Sequence, residues 1–148
     1  MIVGFNFRKI NVERKKKLTK GMKVKYDLDI GKVYEEEYSI ATDKQKVLGF
    51  DFNFKVGYGP DIAEVSIDGT VDYMVSDADA KKTLEQWKKN KQLTKVVSVP
   101  VINMILDKCT IKALELEQDL ALPTHLPMPS INITGTKEGD KGAEKYIG

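Results

Sequence analysis

The sequence predicts an α+β protein: a four-stranded antiparallel sheet with one face covered by a short helix and a long one. Three observations predict it. Four stretches in the first half of the 148-residue chain alternate apolar and polar residues with a period of two. The second half changes to helical spacing, first briefly and then over a longer run. The stretch "ALPTHLPMPSIN", residues 121–132, then holds three of the five prolines and continues neither helix nor sheet ladder.

The strands come first. Met22, Val24, Tyr26, Leu28 and Ile30 share one face, with Lys23, Lys25, Asp27 and Asp29 on the other. Leu48, Phe50, Phe52, Phe54, Val56 and Tyr58 repeat the pattern against Asp51, Asn53 and Lys55. Ala63, Val65, Ile67, Val71 and Tyr73 repeat it against Glu64, Ser66, Asp68, Thr70 and Asp72. Because Cβ atoms alternate across a strand, each stretch is half buried and half wet. The opening stretch sets Val3, Phe5 and Phe7 on one parity and Ile10 and Val12 on the other. That break predicts a bulge or a bend, where one strand serves two neighbours. "LTKG" (18–21) and "VGYGPD" (56–61) read as turns, and "YEEEY" (34–38) as a solvated loop or an acidic docking site.

Ser76 with Asp79 three residues on predicts an N-cap and a helix over 77–90, its stripe formed by Ala80, Leu84 and Trp87. The long helix is expected to begin near Ser98, with Pro100 in its first turn. Ile102, Leu106, Cys109, Ala113, Leu116 and Leu120 form one face. Val101, Met104, Ile105 and Ile111 are apolar yet lie off it. A helix apolar most of the way round is buried on two sides. One sheet covers one side, so the other predicts an identical partner subunit, or else a loop of the same chain. The tail 134–148, rich in Gly, Lys and Glu, is expected to be mobile.

Composition narrows the function. Basic and acidic residues nearly cancel, 24 against 22, which gives no broad drive toward nucleic acid. No apolar run reaches the length of a membrane span, and one cysteine fits a reducing compartment; a cytoplasmic protein is expected. His125 and Cys109 are the sole histidine and cysteine. They are too few for a zinc site, and a Cys109–His125 nucleophile pair would need contact and an orienting group. Neither an enzyme nor a cofactor is expected. "WKKNKQ" (87–92) sets an aromatic beside lysines, but Trp87 falls on the apolar stripe of its helix and is not placed for stacking with bases.

The order of these features resembles a known family. "FNFRKINVERK", "MKVKYDLDI", "LGFDFNFKV" and "AEVSIDGTVDYMV" precede a short helix, a long helix and the segment "LPTHLPMPSINI". This is similar to the SecB export-chaperone family and its shorter SecB-like relatives, over residues 1–133. Pro123, Leu126, Pro127 and Pro129 through Asn132 stand where the family has an extended proline-bearing segment, and Gly69 matches a glycine of the fourth strand.

The resemblance implies an ATP-independent holdase for unfolded polypeptides, assembled as a dimer of dimers with long helices between two sheets. Leu122, Leu126, Met128 and Ile131 become the expected client contacts, and Val101, Met104, Ile105 and Cys109 the expected contacts between copies. Two departures matter. Longer relatives carry another helix after the proline segment, where this chain has a short polar tail. The wet sheet face mixes lysines with acids, so docking of an export motor is not expected. Some relatives protect one antitoxin, which keeps a dedicated partner open as the alternative.

Overall fold

The computed structural model describes residues 1–39 and 44–131. Its elements are β1 (Ile2–Arg14), β2 (Lys23–Glu36), β3 (Gln45–Gly59), β4 (Ala63–Ser76), α1 (Asp77–Asn90) and α2 (Lys95–Asp119). The strands form one antiparallel sheet in the order β1-β4-β3-β2. The α+β class and the four-strand, two-helix order are as the periodicities predict. The expected mobile tail, 134–148, and Asn132 lie outside the described residues.

Register explains which face is buried. Phe5, Val71, Phe50 and Val33 form one row across all four strands, and Ile10, Ile67, Phe54 and Leu28 another. Phe5 and Ile10 reach the same face despite their opposite parity because the β1–β4 register shifts between Phe7 and Lys9. One extra residue, Arg8, resets the alternation. The parity break is thus a bulge, and among the described residues β1 pairs with β4 alone. A second shift between Ile30 and Lys32 carries β2 on to Glu36, beyond the expected strand. Phe50, Phe54, Val56, Val65, Ile67 and Val71 are completely buried.

The helices cover this face. Ser76 caps α1 by accepting from the Asp79 amide at 3.1 Å, with Asp77 and Asp79 in the first turn and Lys88 and Lys89 in the last. Ala80, Thr83 and Trp87 turn inward, and the Thr83 hydroxyl donates to the Asp79 carbonyl at 2.7 Å. The helix ends at Lys91, whose amide returns to the Trp87 carbonyl.

Helix α2 departs from the expectation in two ways. It starts at Lys95, behind Thr94 as N-cap, so Pro100 lies inside the helix and not in its first turn. Its buried row is Val97, Val101, Ile105, Cys109, Ala113 and Glu117, spaced strictly by four. Such a row is inclined to the helix axis and suits a helix laid across a twisted sheet. The expected stripe through Ile102, Leu106, Leu116 and Leu120 is half-buried at its flank. The consequence for the candidate contacts between copies is direct. Val101, Ile105 and Cys109 are fully buried under this chain's own sheet, whereas Met104 is half-buried. The apolar side chains that α2 turns outward are Val96, Val99 and Ile111, each more than half exposed. No helix among the described residues is long and apolar enough to cross a membrane.

"YEEEY" is strand in its first part and loop in its second, with Glu35 and Glu37 exposed. Tyr34, Glu35 and Glu36 belong to β2, and the tyrosines reach over the outer sheet face. The Tyr34 hydroxyl donates to Asp51 Oδ1 at 2.9 Å, and the Tyr38 hydroxyl to Asp72 Oδ2 at 2.6 Å. Asp72 is buried, and Arg8 lies 3.5 Å from the other oxygen of Asp51.

Candidate functional site: the proline segment and its anchorage

Helix α2 ends in a Schellman motif: the Ala121 amide donates to the Gln118 carbonyl at 3.1 Å and the Leu122 amide to the Glu117 carbonyl at 2.7 Å. The left-handed position, ordinarily glycine, is taken by Ala121 at φ +54°. A Cβ there costs on the order of 1 kcal/mol. This turn directs the chain off the helix, and the prolines then keep it extended.

Two side chains of the segment are buried, Leu122 and His125. Leu122 joins the main core. The Pro123 carbonyl accepts from the Tyr58 hydroxyl at 2.5 Å, and the Thr124 hydroxyl donates to the Leu126 carbonyl at 2.8 Å. Arg14 donates to the Leu120 carbonyl at 3.3 Å, tying the edge strand β1 to the same corner.

His125 is held from two directions. Its Nδ1 lies 2.5 Å from Glu117 Oε1 and 3.0 Å from Oε2, and its backbone amide donates to Oε1 at 2.8 Å. The ring stands edge-on to Tyr26 and Phe54, with centroids 5.5 and 5.9 Å away. Glu117 is fully buried, in the last turn of α2, where carbonyl dipoles oppose a negative charge. Leaving such a carboxylate unpaired would cost about 3–5 kcal/mol; His125 and its amide supply the pairing. The nearby Glu117 charge adds to burial in pushing the Tyr58 phenol above its ordinary value. His125 Nε2 is buried without a hydrogen-bond partner among the described residues.

Beyond His125 the segment opens to solvent. Leu126 is half-buried, while Met128 is 53% and Ile131 71% exposed. The expected client contacts therefore separate: Leu122 packs inward, Leu126 lies at the margin, and Met128 and Ile131 stand free. Cys109 and His125 share no hydrogen bond among the described residues, and burial pushes the Cys109 thiol up to about 12. Glu117 escaped sequence reasoning. The signal that could have found it is an acid falling on the i+4 row through Val97, Val101 and Ile105.

Comparison with known proteins follows the geometry. No protein-family profile and no curated protein matches the sequence. Among solved structures, the Mycobacterium tuberculosis SecB-like chaperone Rv1957, in complex with a ChAD peptide from the Rv1956 HigA1 antitoxin, is similar with a TM-score of 0.53. Identity is 12%, over 88% of this chain and 89% of that one. The likeness extends over nearly the whole of both chains and is a likeness of fold: the protein has a SecB-like α+β architecture.

Proposed function

We propose that the protein is an ATP-independent polypeptide-binding chaperone that holds non-native chains on apolar surface. The observation that carries this reading is the proline segment, which projects Met128 and Ile131 from a SecB-like fold on a stiff extended backbone. Pre-set extension lowers the entropy lost on binding, and the prolines remove amides that would otherwise pair as a strand.

Magnitudes favour assembly. Burying Leu126, Met128 and Ile131 yields roughly 1.5–3 kcal/mol each, against an association cost of about 4–15 kcal/mol. A single segment binds weakly, so we place several in one homo-oligomer, a cytoplasmic dimer of dimers in which copies meet through Val96, Val99, Met104 and Ile111 of α2.

The second reading is an interaction protein serving one dedicated partner, with an antitoxin-like segment as the type. It is favoured by the antitoxin peptide in the complex of the similar structure. Light scattering decides between them. The protein is added in rising amounts, without ATP, to several unrelated proteins diluted from denaturant. Suppression across all clients, weakened by Met128→Ser with Ile131→Ser, supports the holdase. Absence of suppression at several-fold excess rejects it in favour of a dedicated partner.

A further inference from the structure

We propose that residues 121–126 form a strap over an aromatic patch of the sheet, closed by the Glu117–His125 pair, and that its opening uncovers Phe54 and Tyr58 beside the already half-exposed Tyr26 as additional client-holding surface. The proposal rests on the polypeptide-binding reading above and adds a control to it.

Four observations make the strap removable. Only Leu122 and His125 are buried within it. Its polar fastenings are Tyr58 to the Pro123 carbonyl, Glu117 to the ring and amide of His125, and at the pivot the Ala121 and Leu122 amides to the Gln118 and Glu117 carbonyls. One polar atom, His125 Nε2, has no partner among the described residues in the closed state. Lifting the strap returns that nitrogen, the Glu117 carboxylate and the Tyr58 hydroxyl to water, which serves all three. Burial of Leu122 and of the imidazole ring acts in the opposite direction. The pivot is built in as well: Ala121 sits at φ +54°, where an alanine gains by leaving. Pro123, Pro127 and Pro129 keep the arm extended, so it moves as a unit.

What lies underneath fits a client. The faces of Phe54 and Tyr26 that meet His125 edge-on belong to adjacent strands, and Tyr58 lies on the same face of β3. Together they extend the apolar surface offered by Leu126 and Met128 onto the sheet. Aromatic rings paired with an imidazole edge accept an aromatic or aliphatic client side chain in the same geometry.

The test uses the whole chain. Glu117→Gln removes the charge from the fastening while keeping its shape. Amide exchange of His125 should then accelerate by about tenfold or more, with the β3 amides unchanged. The NMR signal of the ring, unambiguous because the chain has one histidine, should move toward that of a solvated imidazole. Less protein should be needed to suppress client aggregation. The double variant Glu117→Leu with His125→Phe replaces the pair by apolar groups. It should close the strap and raise the amount needed above wild type, which keeps the proposal testable if Glu117→Gln does not fold. Acceleration of the β3 amides in parallel with His125 would overturn the strap, as would a strap that opens without any gain in holding. A wild-type protein that holds no client overturns the functional reading instead, and the exchange measurement still reports on the strap.

Discussion

The ring of Phe52 lies directly over Gly69 of the neighbouring strand, where a Cβ would come within 2.6 Å of its Cζ and closer still to the carbonyl oxygen of Asn6. Phe52 in turn stacks on Phe5 of β1, with centroids 5.5 Å apart. The missing side chain on β4 thus lets an aromatic of β3 reach across to β1. Gly69→Ala should lose about 2–4 kcal/mol of stability, because the backbone oxygen cannot yield and the ring must leave its place. Urea unfolding measures it; a loss under 0.5 kcal/mol would contradict this packing.

Ala121 predicts the opposite sign. Glycine at the left-handed position of the Schellman turn removes the Cβ strain, and Ala121→Gly should stabilise the chain by roughly 0.5–1 kcal/mol. For a chain of this size that raises Tm by about 2–4 °C. A fall in Tm would show that the φ of +54° carries no strain.

The two faces of α2 separate by mutation. Ile105, completely buried against the sheet, should cost about 2–5 kcal/mol when truncated to alanine. Ile111, 62% exposed, should leave chain stability within about 0.5 kcal/mol on Ile111→Ser. If copies meet through this face, sedimentation of the Val99→Ser, Ile111→Ser variant shows a smaller assembly than wild type.

Three phenols report on the pH limit of the fold. Burial raises Tyr34 and Tyr58, and the hydrogen bond to Asp72 raises Tyr38, all from the ordinary value near 10. A pKa raised in the folded state means that the neutral form is favoured there. The stability this contributes is complete below pH 10 and is lost as pH rises above it. Absorbance titration should show late-ionising tyrosines whose transition coincides with loss of ellipticity. Early ionisation with the fold intact would contradict the Asp51 and Asp72 contacts.

Cys109 gives a probe of opening. Its thiol is fully buried and pushed up to about 12, so a disulfide reagent at pH 8 should label it only as fast as the α2–sheet contact opens. Labelling at the rate of a free thiol would place Cys109 on the surface.

The sheet was the most legible part of the sequence, and for one reason. Period two leaves a strand only two faces, so Phe50, Phe52 and Phe54 against Asp51 and Asn53 admit a single reading. Even the Arg8 bulge announced itself, since Phe7 and Ile10 cannot otherwise share a face. Helix α1 was legible through Ser76 and Asp79. Helix α2 was not, because Val97, Val101 and Ile105 compete with Ile102 and Leu106, and an apolar circumference contains several stripes of equal merit. Only the sheet's twist selects among them. The proline segment was visible as extended and apolar, yet its division at His125 depends on Glu117, and pairing between distant polar residues leaves no periodic trace. Tyr34 and Tyr38 were misjudged for the same cause: their partners are on other strands.

The strand order has a consequence for the chain's own birth. Strands β2, β3 and β4 follow one another in sequence and in space, so each can pair with the one just made. Strand β1 is synthesised before the other three, but its one ladder partner among the described residues is β4. At roughly 5–20 residues per second, several seconds pass between the two. During that interval Phe5, Phe7, Ile10 and Val12 form an unpaired apolar strand on a nascent chain. A protein whose proposed work is to shelter such strands exposes one of its own while it is being made.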